Sequence, residues 1–400
     1  ATAPAITPVL LDAPQGGTNS TPPATALPPV RDRGLVPPTT LNIILMGTDR
    51  RPGQLNWRTD TLILVSIDQE AKTVGLLSIP RDLWVRIPGI GAQRINTADF
   101  YGEYYHLPGG GPQTIKTTIE QNLGIRVHYY ARVDFQSFRK AIDTLGGVDI
   151  DVDCSLQETG FYDDLGRADL NFQPGVQHMD GATALRYARS RYTTNDFDRS
   201  RRQRKVLLAM WDKALSLNLL PKWPELYGQF RESVQTDLGP VEMAALAFIG
   251  SQLRMDKIKM RSIDNRSTIP WTGPNGESVL LPNSERIHSL FVEYFAQPTL
   301  GVDPFEEEKA RVQVFAGDKQ TADVATLALK RQGFSVADPE IGGVVPPASS
   351  LLVNTDKPAS VQRLLSALRI NPSAVKTNPD PSAQIDIQVL LGRDYNACQK

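Results

Sequence analysis

The chain has 400 residues, with 43 Lys and Arg against 44 Asp and Glu, a formal charge of −1, 40% hydrophobic residues, 30 Gly and 30 Pro. This mixed globular composition leaves room for two or three domains, and the near-neutral balance argues against a protein whose main task is coating nucleic acid or an anionic membrane. Cys154 and Cys398 stand far apart, and the four histidines stand singly, which excludes a zinc knuckle, an HExxH site and a disulfide-rich scaffold and leaves the cysteine pair uninformative.

The first 40 residues hold nine of the prolines, seven threonines and only four charged residues. Residues 1–40 therefore read as an extended linker, either holding a folded domain away from a membrane or serving no role. The chain starts at Ala1 without Met and has no long apolar run, so neither a signal peptide nor a transmembrane helix is visible and a mature or trimmed chain is expected.

Order is expected from Leu41. LNIILM (41–46), TLILVSI (61–67) and VGLLSI (74–79) are nearly continuous β-prone runs, the pattern of strands covered on both faces. Helical spacing follows at Ile115, Ile119 and Leu123, and again at Phe135, Phe138, Ile142 and Leu145, each closed by glycine. These two stripes are either core faces or the walls of an apolar cavity. Strands YYARV (129–133) and VDIDV (148–152) flank the second helix, and a long helix is expected from about Arg199 to Leu219. The segment 221–300, with WPELYGQF, extends the first domain. Pro, Gly and acidic residues at 301–309 mark a linker, and a compact unit of alternating strands and helices follows over 310–395. The fold class is thus α/β: a central mixed sheet sandwiched by helices, with a second small α+β domain at the C-terminus.

Charged residues gather at strand ends. GTDRR places Asp49 just beyond the first strand, RTD places Arg58 and Asp60 just before the second, and SIPRD places Arg81 and Asp82 after the third. If the strands are antiparallel, Asp49 and Asp60 share one sheet edge and suit a Mg²⁺ whose other ligands come from phosphate; otherwise each caps a turn or pairs with its neighbouring Arg. A stronger signal is RYARSRYTTNDFDRSRRQRK (186–205), whose seven Arg and one Lys against two Asp give +6 in a chain of −1. Arg199 and Arg202 fit the first turn of the long helix, aimed inward at a phosphate or pyrophosphate. Arg189 and Arg191, two apart as on a strand, form a second clamp. The alternative is a solvated basic face. Nucleic acid is not an expected partner, since no HTH, RRM or zinc motif surrounds Tyr187 and Tyr192.

Taken in order, NIILMGTDRR, RTDTLILVSID, VGLLSIPRD, RINTADFYG, GGVDIDV, GVQHMDGATALRYARSR and DFDRSRRQ resemble the catalytic domain of the LytR/CpsA/Psr (LCP) family over residues 41–220. The resemblance implies an enzyme anchored by a single N-terminal membrane helix ahead of Ala1, with its catalytic domain outside the cytoplasmic membrane. It implies transfer of a glycopolymer from a polyprenyl pyrophosphate donor to peptidoglycan or another cell-wall acceptor. By position, Asp49 and Asp60 match the family's Mg²⁺ carboxylates, with Arg58 beside them. Arg81, Arg189, Arg191, Arg199 and Arg202 match its pyrophosphate-binding arginines, and Asp196 and Gln203 complete the last motif. Asn96 in RINTA orients a loop at the mouth of the site. Asp198 stands where many members have Gly and is expected to pair with Arg201. Asp60 or Asp82 would take the acceptor proton. Hydrolysis of the same lipid, or wall-polymer binding without turnover, would use the same residues. Residues 310–395 look like the LytR C-terminal domain, although FAGDKQTA replaces that domain's usual NGTG-like turn; a binding or positioning role is expected there.

Overall fold

The structure is a computed structural model, and it describes residues 36–37, 39–51, 56–190, 196–217, 234–253, 258–296, 304–380 and 382–396. The Pro- and Thr-rich stretch before residue 36 and the WPELYGQF segment lie outside the described residues.

The three apolar runs form the middle of a six-stranded sheet. β1 (Thr40–Thr48), β2 (Thr59–Asp68) and β3 (Thr73–Ser78) pair antiparallel in sequence order. The strand Tyr129–Asp134 runs parallel to β1 and Ile258–Ser262 runs parallel to β3, so the sheet is mixed. Both faces are covered, which explains why these strands read as continuous apolar runs rather than alternating ones. On one face Ile44, Met46, Leu64 and Leu77 pack with helices α1 (Ala98–Tyr104) and α2 (Gly110–Leu123) and with the later helix Ser284–Phe295.

Among the described residues, α3 (Phe135–Thr144), α5 (Asp196–Ser216) and α6 (Pro240–Ser251) belong to the opposite side, and α4 (Gly181–Arg189) packs on α3 and α5. Asp134 and Asp180 cap α3 and α4, each carboxylate accepting from the backbone N–H three residues on. VDIDV is a strand, but it stays off the central sheet and pairs with Gly175–Met179. Its apolar residues share a separate core with Ile142 of α3, Tyr187 of α4 and Val206 of α5, closed by the hairpin Leu156–Asp163/Gly166–Phe172.

Between the sheet and α3, α5 and α6 lies a cavity of about 450 Å³, open to the outside. Ile43, Leu45, Val65 and Leu76 form its floor, and Leu207, Met210 and Ala214 of α5 form one wall. Of the residues in the two stripes named in the sequence, only Leu145 lines it. Ile115, Ile119 and Leu123 are fully buried core on the other face of the sheet, and Ile142 belongs to the separate core. Helix α3 contributes Lys140, Ala141 and Thr144, and Leu145 stands just beyond its end. At Gly250, α6 comes so close to α5 that a Cβ would fall within 1.7 Å of the Trp211 ring, so only glycine lets the two walls meet there.

The second unit has its own mixed sheet and core, with Val312, Val314, Leu351 and Val389 packed on Leu329 and Leu364. Part of the expected linker is built into it. Pro304–Glu308 is a short helix whose Phe305 is buried, and the Glu308 carboxylate accepts from the N–H groups of Ala359 (2.8 Å) and Ser360 (2.7 Å), capping the helix Pro358–Leu368. The helix Lys319–Arg331 rests on the first unit: Arg331 Nη1 lies 3.1 Å from Asp151 Oδ2, and Gln320 Nε2 donates to the Pro174 carbonyl at 2.7 Å. Cys154 is disulfide-bonded, so the cysteines carry more information than their spacing gave; Cys398 lies outside the described residues.

Candidate active site

The site grows from an irregularity in the sheet. Gly47 pairs with Thr61 but Thr48 pairs with Thr59, so Asp60 is the extra residue of a β-bulge. A bulge turns the side chain of its extra residue away from the ladder. Gly47 permits it, since a Cβ there would sit 2.9 Å from Thr61 Cβ. Gly47→Ala is therefore expected to destabilise the fold by roughly 1–3 kcal/mol and to shift Asp60; thermal unfolding together with turnover checks this, and unchanged values in both would show that the bulge tolerates a side chain.

Asp60 joins three elements. Its Oδ1 accepts from Arg81 Nη1 at 3.0 Å and from Asn96 Nδ2 at 3.4 Å, and its carbonyl accepts from Arg199 Nη2 at 3.5 Å. Arg81 also reaches Asp82, Nε to Oδ2 at 3.3 Å, and Arg94 approaches the other Asp82 oxygen at 3.4 Å. Arg94 is a member of the cluster that the sequence reading missed; it stands two residues before Asn96 in the same RINTA motif. On the neighbouring strand end, Asp49 is pinned to Arg58: Asp49 Oδ1 accepts from Arg58 N at 2.6 Å, and Asp49 N donates to Arg58 O at 3.1 Å. β1 and β2 are antiparallel, so Asp49 and Asp60 stand at one edge of the sheet, each also engaged by an arginine; Arg58 contributes its backbone while its side chain is exposed.

Arg189 is the last residue of α4, not part of a strand as its spacing from Arg191 implied. Its guanidinium lies over the rings of Phe135 (4.3 Å) and Phe161 (5.6 Å). Burial pushes its pKa below the usual guanidinium range; Asp163, Asp164 and Asp60 oppose this and Arg51 adds to it, so Arg189 senses the β1–β2 edge. Its Nη1 is buried, with no hydrogen-bond partner among the described residues. An unsatisfied buried donor costs about 1–3 kcal/mol, a cost that an anionic oxygen in the site would remove.

The basic helix begins at Asp196, three residues before the expected start, which places Arg199 in its first turn and Arg202 in its second. Arg199 is 2% exposed and reaches the start of β2. Arg202 has a different environment from the one expected. Its Nε donates to the Tyr187 carbonyl at 3.0 Å and its Nη2 to the Ser190 carbonyl, so it closes the C-terminal end of α4 and holds Arg189 in place. Gln203 is half-buried one residue on. Arg201 pairs with Asp153 at 3.6 Å, where Asp198 was the expected partner. Arg204, passed over in the sequence reading, is buried and donates from Nη1 to Ser78 Oγ at the end of β3. Burial lowers its pKa to about 10, which leaves it protonated at neutral pH. Its burial faces the sheet end rather than the apolar stripe of the helix, so no periodicity marks it. Arg191 and the Asp196 side chain lie outside the described residues.

A metal can be tested against these groups. Among the described residues no three His, Cys, Asp or Glu side chains come together as a metal cage, which argues against a dedicated all-protein site. Asp49 and Asp60 are the two carboxylates that stand at adjoining strand ends, Asp49 accepting from Arg58 N and Asp60 from Arg81 and Asn96.

Solved structures share this mixed α/β fold. The crystal structure of B. subtilis TagV superposes with a TM-score of 0.52 and 31% identity, covering 65% of this chain and 98% of that one. TagT bound to LIIa-WTA superposes with a TM-score of 0.51 and 26% identity, covering 64% and 90%. The LytR_cpsA_psr family model matches residues 35–293, and the chain belongs to that family. Among curated relatives, the polyisoprenyl-teichoic acid–peptidoglycan teichoic acid transferase TagU of Oceanobacillus iheyensis is 36% identical over 200 residues, 50% of this chain and 59% of TagU. The corresponding transferase TagV of Bacillus subtilis is 32% identical over 238 residues, 58% of each chain. The chain thus spans less than two-thirds of the length of these curated relatives.

Proposed function

We propose that the protein transfers a glycopolymer from a polyprenyl pyrophosphate-linked donor to peptidoglycan or another cell-wall acceptor, outside the cytoplasmic membrane. The observation that carries this reading is α5. Its first turns bear Arg199 and Arg204 at the ends of β2 and β3, and its next turns bear Leu207, Met210 and Ala214 on the cavity wall. A ligand with a doubly charged head and a long apolar tail fits that helix end to end. The disulfide at Cys154 fits an oxidising, extracytoplasmic compartment. None of the described helices is long and apolar enough to cross a membrane, and attachment is assigned to the N-terminal anchor that the family resemblance implies.

Negative charge builds on the lipid phosphates as the glycopolymer is transferred. Guanidinium groups already in position stabilise that charge without reorganising, in a setting where water screens them poorly. Arg81, Arg189 and Arg199 supply the contacts, and Arg202 fixes the helix end that carries Arg189. Asp60 or Asp82 receives the proton of the acceptor hydroxyl. Asp49 and Asp60 would hold Mg²⁺, which supplies further positive charge to the pyrophosphate. The second unit, which resembles the LytR C-terminal domain, serves as a binding or positioning module.

The test is turnover by the purified chain with Mg²⁺, a polyprenyl pyrophosphate-linked glycan and a peptidoglycan acceptor. Transfer is expected, with loss on EDTA treatment, recovery on adding Mg²⁺, and a fall of about 10²-fold in Asp60→Asn. Glycan release to water alone would make the protein a hydrolase, and transfer unaffected by EDTA and by Asp60→Asn would remove the metal from the reading.

A further inference from the structure

We infer that α6 is a membrane-contacting helix, whose outer face sits in the headgroup region of the bilayer while its inner face walls the lipid cavity. This rests on the lipid-donor reading above but concerns a surface distinct from the reaction site. The sequence PVEMAALAFIGS has a single charged residue, Glu242. Met243, Leu246 and Ala247 line the cavity. Val241, Ala244, Ala245 and Phe248, spaced three, four and seven apart, form an opposite stripe that faces outward, with Val241 77% and Phe248 65% exposed.

An amphipathic helix on a water-facing surface carries polar residues on its outer side, and one that is apolar all round is buried in protein or faces lipid. Among the described residues the outer stripe of α6 is left exposed, an apolar surface of the kind that marks an interaction site. The cavity behind it decides the occupant. A polyprenyl chain is insoluble in water and must pass from bilayer to cavity without crossing it, and α6 is part of the wall between that cavity and the outside. At about 18 Å for 12 residues, the helix is too short to span a bilayer but fits lying in the interface plane. Lys140, exposed and lining the same cavity, places a cation where anionic lipid phosphates would meet it.

The test uses the whole chain and no donor lipid. Co-flotation is measured with phosphatidylcholine vesicles containing about a third anionic lipid. Wild type is expected to float with the vesicles. The double variant Val241→Glu/Phe248→Glu is expected to lower the bound fraction about tenfold or more, and Phe248→Leu to retain it. Neither substituted side chain lines the cavity, so turnover of a water-soluble short-chain donor is expected to match wild type, which also shows that the variant is folded. Failure of wild type to bind vesicles, or equal binding by the double variant, overturns the inference. So does a concentration-dependent dimer abolished by the same pair, which would give the stripe to a second copy. Absence of short-chain turnover in every form, with vesicle binding intact and lost in the double variant, would instead count against the proposed reaction and leave α6 as a membrane contact.

Discussion

Arg189→Ala is expected to lower glycopolymer transfer by on the order of 10²–10³-fold, chiefly in kcat, with the fold intact. The reasoning starts from its surroundings. The guanidinium is half-enclosed by Phe135 and Phe161, and among the described residues its Nη1 has no acceptor and the group has no ion pair, so the site holds a positive charge that is already desolvated. A donor aimed at developing charge contributes most under those conditions, because little water must be displaced and few dipoles turned at the moment of reaction. Arg189→Lys is expected to recover little, since an ammonium group lacks the planar fork and stacks poorly on two rings. Single-turnover kinetics with a polyprenyl pyrophosphate donor measure this directly, and a variant within twofold of wild type would show that Arg189 serves only α4. Arg202→Ala offers a contrast: it should act through displacement of α4, so its loss of activity should come with a lower unfolding temperature, whereas Arg189→Ala should not shift that temperature comparably.

The second large effect concerns the cavity. Ala214→Trp places an indole in space bounded by the sheet and α3. Excluding one isoprene unit forfeits about 0.8 kcal/mol for each of its five carbons no longer buried, about 4 kcal/mol in all, or on the order of 1,000-fold in affinity. Affinity for a long-chain donor should therefore collapse while turnover of a short-chain analogue stays near wild type. Equal losses for both donors would mean that the indole disturbs the arginine cluster through α5, and no loss for either would take the lipid out of this cavity.

Much of the central sheet was legible because burial on both faces forces apolar residues into consecutive positions; LNIILM, TLILVSI and VGLLSI became β1, β2 and β3 with shifts of a residue or two at the ends. The strand-end carboxylates were legible for a related reason, since antiparallel pairing of neighbouring runs brings an end and a start together. Other features depend on contacts that no local pattern encodes. The spacing of Arg189 and Arg191 suits a strand, yet Asp180 caps a helix that ends at Arg189. The acceptors that engage Arg202 stand 12 and 15 residues away on another helix, so charge counting assigned it to the ligand. The stripes proposed as cavity walls were real amphipathic faces, but amphipathicity tells only that a face is covered, not by what. VDIDV has the composition of a sheet strand and finds a partner outside the central sheet.

The grip of Arg202 on the carbonyls of Tyr187 and Ser190 makes a cation serve as a clasp between two helices. It ties the end of α4 to the second turn of α5, and Arg189 is the last residue of α4. A substitution that loosens the clasp therefore reaches the Arg189 guanidinium as a displacement of its helix, with no change in the charge of Arg189 itself.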